Sequence, residues 1–330
     1  MKTAIWVTSS IVAAILLAWA ILIAVSRLHY GRSVMSTLGE CLIRSAKTKR
    51  KIVTPEQAAA YVEKSGKENL VPYCIPKSVK FRVTVRERQE HGMQVFHLNE
   101  GSASNTLLFY LHGGAYLNNP LSYHFKLCNQ LAFELGAHVI VPVYPKLPKH
   151  TYRDAYDAVM ALYKSYAADG KRTVFVGDSA GGGLALGLAQ LLRDEGGPQP
   201  ERLILLSPWL DVSMDNPKLK EYEKVDPMHT IFFPKELGKL WAGEQSVYDS
   251  LVSPIYGELK GLGKISLFTG TRETLCADIL RMDALLKEQG IEHDLFIGKG
   301  LNHVYPVYPT PEGKRARKTI VNLIQTKLSE

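Results

Sequence analysis

Residues 173–183 read TVFVGDSAGGG, and this stretch decides the fold. The apolar run 173–176 has the length and β-branched content of a buried strand. It leads directly into the G-x-S-x-G pattern of residues 177–181. A serine in this pattern lies on a sharp turn between a strand and a helix, with its hydroxyl projecting from the carboxyl edge of the sheet. The segment therefore predicts Ser179 as a nucleophile and a helix that begins at Ala180.

Strand-length apolar runs alternate with helix-length amphipathic segments on both sides of this turn. Such alternation is typical of βαβ units, so we expect an α/β fold with a mostly parallel central sheet flanked by helices. A hairpin is expected to open the sheet, because residues 79–85 alternate apolar and polar side chains and Met93–Leu98 follows a Gln-Glu-His-Gly turn. The further strands are expected at 107–111, 139–143, 173–176, 203–206, 265–268 and 294–297, and the helices at Ser122–Leu135, Tyr152–Ala167, Ala180–Asp194, 275–289 and after Pro311.

A glycine-containing loop, His112-Gly113-Gly114-Ala115, follows directly on the expected strand 107–111. Loops of this type supply backbone N–H groups that hold the oxyanion of a tetrahedral intermediate, together with the amide that follows the nucleophile. Two consecutive glycines allow these amides to turn inward. The sequence therefore predicts an oxyanion hole formed by Gly113, Gly114 and Ala180.

The base must be a histidine, because a serine hydroxyl is a weak nucleophile until a base accepts its proton. In the usual chain order the triad histidine follows the nucleophile, and three histidines follow Ser179. His229 lies in a segment without strands, and His293 begins an apolar strand. His303 lies in the loop beyond that strand, from which its side chain can reach over the sheet edge, so we expect His303 to be the base.

The acid is expected in the loop after strand 265–268, where residues 269–273 read TGTRE. Glu273 lies in this loop, and Asp278 lies one turn into the following helix. A triad acid normally takes the loop position, so Glu273 is preferred. Asp278 stays open as the alternative.

These motifs resemble those of the hormone-sensitive lipase family of α/β-hydrolases, a group of carboxylesterases. The resemblance covers about residues 107–305 and implies an α/β-hydrolase fold with a helical cap. It also implies Ser179 as nucleophile, His303 as base, Glu273 as acid, and neither a cofactor nor a metal. The residues that carry it are 112–115, 143–148, 177–182, 207–211, 270–278 and His303.

The chain departs from the family pattern at three positions. The family more often has a third glycine where Ala115 stands, Asp where Glu273 stands, and Asn where Gly183 follows the serine motif. None of these differences removes a catalytic group. A single N-terminal anchor joined to such a domain is similar to arylacetamide deacetylase-type enzymes.

The formal charge of +8 is concentrated near the N-terminus, since residues 1–51 carry +7 and the rest of the chain +1. A nearly neutral body without a nucleic-acid motif predicts no nucleic-acid partner. Residues 5–25 form an uncharged run of 21 residues, long enough as a helix to cross about 30 Å of hydrocarbon. A cleaved signal peptide is the alternative, because Ala18-Trp19-Ala20 offers a small-x-small site, but the apolar sequence continues beyond it. We therefore expect an uncleaved membrane anchor.

Three parts are expected along the chain. Residues 1–26 form the transmembrane anchor, residues 27–75 a basic neck with N-terminal cap helices, and residues 76–330 the hydrolase domain. A cap insertion is expected at about 212–252, where prolines and amphipathic pieces replace the strand rhythm. The excess of basic residues after the span favours the cytoplasmic face for the domain.

The expected function is hydrolysis of carboxylic esters with short or medium acyl chains, through an acyl-enzyme intermediate. Amide or peptide hydrolysis on the same triad is one alternative. A non-catalytic binding protein with a hydrolase-like fold is the other, and it would be expected to have lost a member of the triad.

Overall fold

The computed structural model describes residues 2–46, 52–167 and 170–326. Lys47, Lys49, Arg50 and Lys51 of the expected basic neck lie outside the described residues. The described helices are α1 (Lys2–Ala24), α2 (Val34–Ser45), α3 (Pro55–Asn69), α4 (Ser122–Leu135), α5 (Tyr152–Ala167), α6 (Ala180–Asp194), α7 (Leu219–Val225), α8 (Phe232–Ala242), α9 (Cys276–Glu288) and α10 (Pro311–Gln325).

One sheet contains β1 (Val85–Glu90), β2 (Met93–Leu98), β3 (Thr106–Leu111), β4 (His138–Val143), β5 (Arg172–Asp178), β6 (Arg202–Leu206), β7 (Lys264–Arg272) and β8 (His293–Asn302). Its strand order is β1-β2-β4-β3-β5-β6-β7-β8. β2 pairs antiparallel with β1 and β4, and the other neighbours are parallel. This is the mostly parallel sheet that the alternation predicts, and its parallel strands present their carboxyl ends at one edge.

The main departures from the predicted strands lie at the ends of the sheet. The first strand begins at Val85 instead of residue 79, because the preceding segment packs against α4, where Phe81 contacts Phe125 and Asn129 accepts a hydrogen bond from the Arg82 amide. β7 and β8 extend to Arg272 and Asn302, which remain paired beyond a register shift. The segments that carry the predicted acid and base therefore begin directly at the ends of paired strands.

The core lies on both faces of the sheet. Alternate residues of β3 divide between the two layers, with Phe109 on one face and Leu108 on the other. Helices α5, α6 and α9 cover the first face, and α4 and α10 cover the second. Because helices cover both faces, the central strands are buried along their length, as parallel strands usually are.

The N-terminal helix α1 continues into a π-helical turn at Val25–His29. Ser10–His29 has a mean hydropathy of 2.5 and is long and apolar enough to cross a membrane. Most of the apolar side chains described in this segment are exposed. A membrane anchor and a signal sequence share this length and composition.

Helix α2 is fixed to the hydrolase body by buried charges. Glu40 accepts hydrogen bonds from Arg32 (2.5 Å) and Arg272 (2.7 Å), and Arg32 also donates to the Gly300 carbonyl (2.7 Å). Burial raises the pKa of Glu40, but the two guanidinium groups outweigh this and lower it to about 2. Arg44 bonds to the same carboxylate. The sequence counts Arg32 and Arg44 toward a basic neck, whereas the structure pairs both with Glu40.

Candidate active site

Ser179 lies on the turn between the end of β5 and the start of α6, with φ 52° and ψ −123°. Positive φ is uncommon for residues other than glycine and occurs most often at functional sites. The start of α6 lies very close to the end of β3, and only a glycine fits at position 181. A Cβ there would lie 2.0 Å from the Leu111 carbonyl oxygen. Gly181 therefore permits the sharp turn that places Ser179 at the carboxyl edge of the sheet, as the motif predicts.

The predicted acid and base contact each other. His303 donates through Nδ1 to Oε2 of Glu273 across 2.5 Å, and both side chains are buried. The other carboxylate oxygen of Glu273 accepts from the hydroxyls of Ser207 (2.8 Å) and Thr269 (2.6 Å) and from the Gly270 amide (2.7 Å). Three donors on one oxygen fix the carboxylate so that its second oxygen faces the imidazole.

The electrostatic surroundings favour a protonated His303. Burial lowers the pKa of this imidazole, but the hydrogen bond and charge of Glu273 outweigh burial and raise it above its ordinary value. Ser179 and His303 line the same cavity. No hydrogen bond joins their side chains within the described residues; such contacts are often long in a free enzyme and tighten when substrate binds.

The competing acid, Asp278, does not reach the imidazole. Its Oδ1 accepts from the Asn216 side-chain amide across 2.7 Å, and burial raises its pKa to about 6. The competing His293 bonds to Asp283 (2.9 Å) instead. The structure therefore brings Glu273, and not Asp278, to His303.

The glycine loop after β3 requires a correction. The Gly113 amide donates to Oδ1 of Asp178 across 2.9 Å, so it is not available to an oxyanion. The Tyr110 hydroxyl also donates to this oxygen (2.6 Å), and His124 Nε2 lies 3.1 Å from Oδ2. Since the Leu121 amide donates to Nδ1 of His124, Nε2 carries the proton and donates to Asp178. Asp178 therefore ties the loop to the serine turn.

Three amides of the glycine loop and the serine turn are unpaired within the described residues. Those of Gly114, Ala115 and Ala180 have no hydrogen-bond partner within residues 2–46, 52–167 and 170–326. Gly114 and Ala115 line the cavity that contains Ser179. Both have positive φ, 131° and 56°, which turns the loop at this point. Two of the predicted donors, Gly114 and Ala180, thus keep free amides, as does Ala115, whereas the Gly113 amide is bonded to Asp178.

The cavity that contains Ser179 and His303 has a volume of about 590 Å³. One wall comes from α3, and another from the segment between β6 and β7, which contains α7 and α8 and no strand. The two walls meet where the rings of Tyr61 and Phe233 lie edge to face with centroids 5.5 Å apart.

Sequence reasoning missed the place of His229. Its ring packs edge to face against His303 with centroids 4.6 Å apart, and its Nδ1 lies 3.6 Å from Asp226. Asp226 is fully buried and accepts from the amide and hydroxyl of Thr274. The sequence Asp-Pro-Met-His at residues 226–229 indicates that Asp226 and His229 lie on one turn. It does not indicate that His229 contacts His303, which is far away in the chain.

A separate group, His97, Glu100 and His138, has ligand atoms within 4.8 Å of one another. Burial lowers the pKa of both imidazoles, that of His138 to about 4. The groups already have partners, since the imidazoles bond to each other across 3.1 Å and Glu100 pairs with Arg86 and Arg88. We therefore read this group as a structural network between β2 and β4.

The parallel sheet, the serine turn and the histidine–carboxylate pair beyond the last strands define a serine hydrolase of the α/β class. The chain belongs to the α/β-hydrolase fold family, whose pattern it matches over residues 108–307. It is therefore a carboxylesterase-type hydrolase, and it resembles the hormone-sensitive lipase group as the sequence motifs indicate.

Individual relatives agree with this class. An esterase of Acinetobacter venetianus is 27% identical over 240 residues, which cover 71% of this chain and 79% of the relative. An acetyl-hydrolase of Streptomyces hygroscopicus is 28% identical over 229 residues, covering 68% and 76%. The crystal structure of an esterase from the bacterial hormone-sensitive lipase family shares the fold, with a TM-score of 0.75, 24% identity and coverage of 89% of this chain and 98% of the other.

Proposed function

We propose that this protein hydrolyses carboxylic esters of short or medium acyl chain through a triad of Ser179, His303 and Glu273. The observation that carries the proposal is the 2.5 Å hydrogen bond from His303 to Glu273 at the wall of the cavity that contains Ser179. This is the orientation a triad needs, because the carboxylate holds the imidazole in one tautomer and stabilises its protonated form.

The reaction follows from these positions. His303 accepts the Ser179 proton as the serine oxygen attacks the ester carbonyl, and the free amides of Gly114, Ala115 and Ala180 receive the oxyanion. The intermediate collapses when His303 gives the proton to the leaving alcohol, which leaves an acyl group on Ser179. His303 then deprotonates a water molecule as it attacks the acyl-enzyme, and returns this proton to the Ser179 oxygen when the second intermediate collapses and the acid leaves.

The limit on acyl chain length is proposed from the walls of the cavity. We propose that α3 and the segment 212–252 form a cap over Ser179. Tyr61 and Phe233 close against each other across this cap, and we propose that this contact limits the length of the acyl chain. The acetyl-hydrolase among the relatives supports a small acyl group.

A fluorophosphonate probe and a graded series of nitrophenyl esters test the proposal on the full chain in detergent. The probe is expected to label the protein but not Ser179→Ala. Turnover is expected to be highest for short or medium acyl chains and much slower for the matching anilides. Absence of labelling would point to a binding protein, and comparable anilide turnover to an amidase. A maximum at long chains would point to a lipase.

We further propose that residues 5–25 anchor the protein in a membrane, with the hydrolase domain on the cytoplasmic face. The length of the apolar helix supports an uncleaved anchor, and the basic residues that follow it support this orientation. Protease digestion of right-side-out and inverted vesicles tests it. We expect the domain to be digested only in inverted vesicles.

A further inference from the structure

A second cavity, of about 330 Å³, lies between α2 and the loop that follows β8. Met35, Leu38 and Leu42 line it from α2, yet their side chains are 53%, 42% and 71% exposed. The spacings of three and four residues place them along one side of the helix. We call these three residues the α2 stripe. The opposite wall of the cavity contains Leu301, Asn302, Tyr305, Tyr308, Pro309 and Thr310.

The exposure of the α2 stripe is not due to a loosely attached helix. The other side of α2 is held to the domain through Glu40, which bonds to the partly buried Arg272 and to Arg32, and Arg32 in turn donates to the Gly300 carbonyl. Ser36 also donates to the carboxylate of Glu312 across 2.8 Å. Because α2 is fixed in this way, its apolar stripe is presented outward in one orientation. Contiguous apolar surface of this kind marks a site of interaction with a partner or a membrane.

The α2 stripe lies close in the chain to the apolar segment proposed as the membrane anchor. Residues 30–33 alone separate the end of the apolar segment Ser10–His29 from α2. Leu28, close to this junction, is 86% exposed. The sequence after α2 contains four basic residues, as expected for a segment beside an anionic bilayer. They are Lys47, Lys49, Arg50 and Lys51.

We propose that the α2 stripe inserts into the boundary between headgroups and acyl chains of the bilayer that α1 spans, and that the adjoining cavity holds an acyl chain of a bilayer lipid. This inference rests on the membrane anchoring proposed above. The domain is then seated against the membrane through α2, in addition to being tethered by α1.

If α2 lies in the membrane interface, the loop after β8 that carries His303 lies close to the membrane. Asn302 lines the α2 cavity, and the next residue, His303, lines the catalytic cavity. Tyr308 also lines the α2 cavity, and its hydroxyl lies 3.7 Å from the sulfur of Met228 in the wall of the catalytic cavity. One layer of side chains thus lies between the proposed lipid site and the place of ester cleavage. Among esters of short or medium acyl chain, this arrangement favours those that partition into the bilayer.

Fluorescence quenching by lipids with brominated acyl chains tests the seating. The full chain carries Leu38→Cys with Cys41→Ser and Cys74→Ser, which remove the two exposed thiols. The protein is labelled with nitrobenzoxadiazole at position 38 and reconstituted into vesicles of phosphatidylcholine and phosphatidylglycerol, with or without brominated acyl chains. The matched control labels Ala103→Cys in the same background, since Ala103 is exposed in the loop between β2 and β3.

We expect the label at position 38 to be quenched at least about twofold more strongly than the label at position 103, because only the former lies at the depth of the acyl chains. A second variant, Leu42→Cys, is expected to give the same result and decides the matter if Leu38→Cys does not fold. Turnover of a short, water-soluble ester in the same vesicles verifies folding and tests the proposed catalysis independently.

Equal quenching at the stripe and at the control position, in protein that floats with the vesicles, would overturn the seating while leaving the anchor intact. Failure to float would overturn the anchor together with the seating. Neither result bears on ester hydrolysis, which the soluble substrate reports.

Discussion

His303 donates a 2.5 Å hydrogen bond to Glu273 from the end of the adjacent strand, although 30 positions separate the two residues in the chain. Parallel pairing of β7 with β8 brings them together, because both strands present their carboxyl ends at the same edge of the sheet. The resembling family more often has aspartate at position 273. The longer glutamate of this chain makes the same kind of contact with the imidazole.

The first prediction concerns the choice of acid. We expect Glu273→Gln to lower kcat by about 10³-fold to 10⁴-fold, because a neutral amide can place its N–H against Nδ1 and favour the wrong tautomer. The matched change Asp278→Asn is expected to leave kcat within a few-fold of the parent, since Asp278 bonds to Asn216. Steady-state kinetics on a short nitrophenyl ester measure both. A large loss in Asp278→Asn alone would reverse the assignment.

The second prediction concerns the pH dependence of the reaction. His303 must be neutral to accept the serine proton, and its pKa is raised, chiefly by Glu273 acting against burial. Activity is therefore expected to fall as pH decreases, with the acid limb of kcat/KM centred above about 6.5, the ordinary value for histidine. Buffers of constant ionic strength and an ester stable over the range provide the profile. A limb centred below about 6 would contradict the raised pKa.

The elements and the main site residues are predictable because their signals are local. Strand 173–176, the serine turn and α6 are encoded within one short stretch. Chain order then leaves three histidines, of which only His303 is predicted in a loop beyond a strand. The structure also explains a departure that the sequence leaves open: a Cβ at Gly183 would lie 2.2 Å from the Trp209 carbonyl oxygen. The asparagine typical of the family at this position therefore has no room in this chain.

Other features depend on contacts between distant positions and could not be predicted. The Gly113 amide is taken by Asp178, 65 positions away, and a glycine motif alone cannot show which amides remain free. Likewise, Arg32 reads as a membrane-flanking charge until the fold places it against Glu40 and the Gly300 carbonyl. Net charge along a sequence does not distinguish a solvated cation from a buried ion pair.

The third prediction concerns the support of the oxyanion loop. Asp178 accepts from Tyr110, Gly113 and His124, and an amide at this position must turn its N–H₂ group toward at least one of these donors. We expect Asp178→Asn to shift the loop and lower kcat by about 10²-fold, the usual effect of misplacing a catalytic group by about 1 Å.

Tyr110→Phe provides the milder control for this loop, because it removes one donor and leaves the carboxylate in place. Its expected kcat is within about tenfold of the parent. Labelling by a fluorophosphonate probe and the rate of ester turnover distinguish the two variants. Equal kcat in Asp178→Asn and the parent would show that the loop holds its shape without this carboxylate.

The last prediction concerns the attachment of α2. Removing one partner of a buried ion pair leaves the other charge unpaired, so Glu40→Gln is expected to lower the free energy of unfolding by about 3–5 kcal/mol at neutral pH. The pKa of Glu40 is lowered from 4.5 to about 2 in the folded state. Its contribution is therefore fully present above about pH 4.5 and is lost as pH falls toward 2. The difference between variant and parent should shrink over that interval.

Glu288→Gln, at the exposed end of α9, is the matched control and is expected to change stability by less than about 0.5 kcal/mol. Denaturant titration in detergent, followed by tryptophan fluorescence, measures the free energy of unfolding of the parent and the two variants. A pH-independent difference would mean that the lost stability arises from packing of α2 and not from the charge of Glu40.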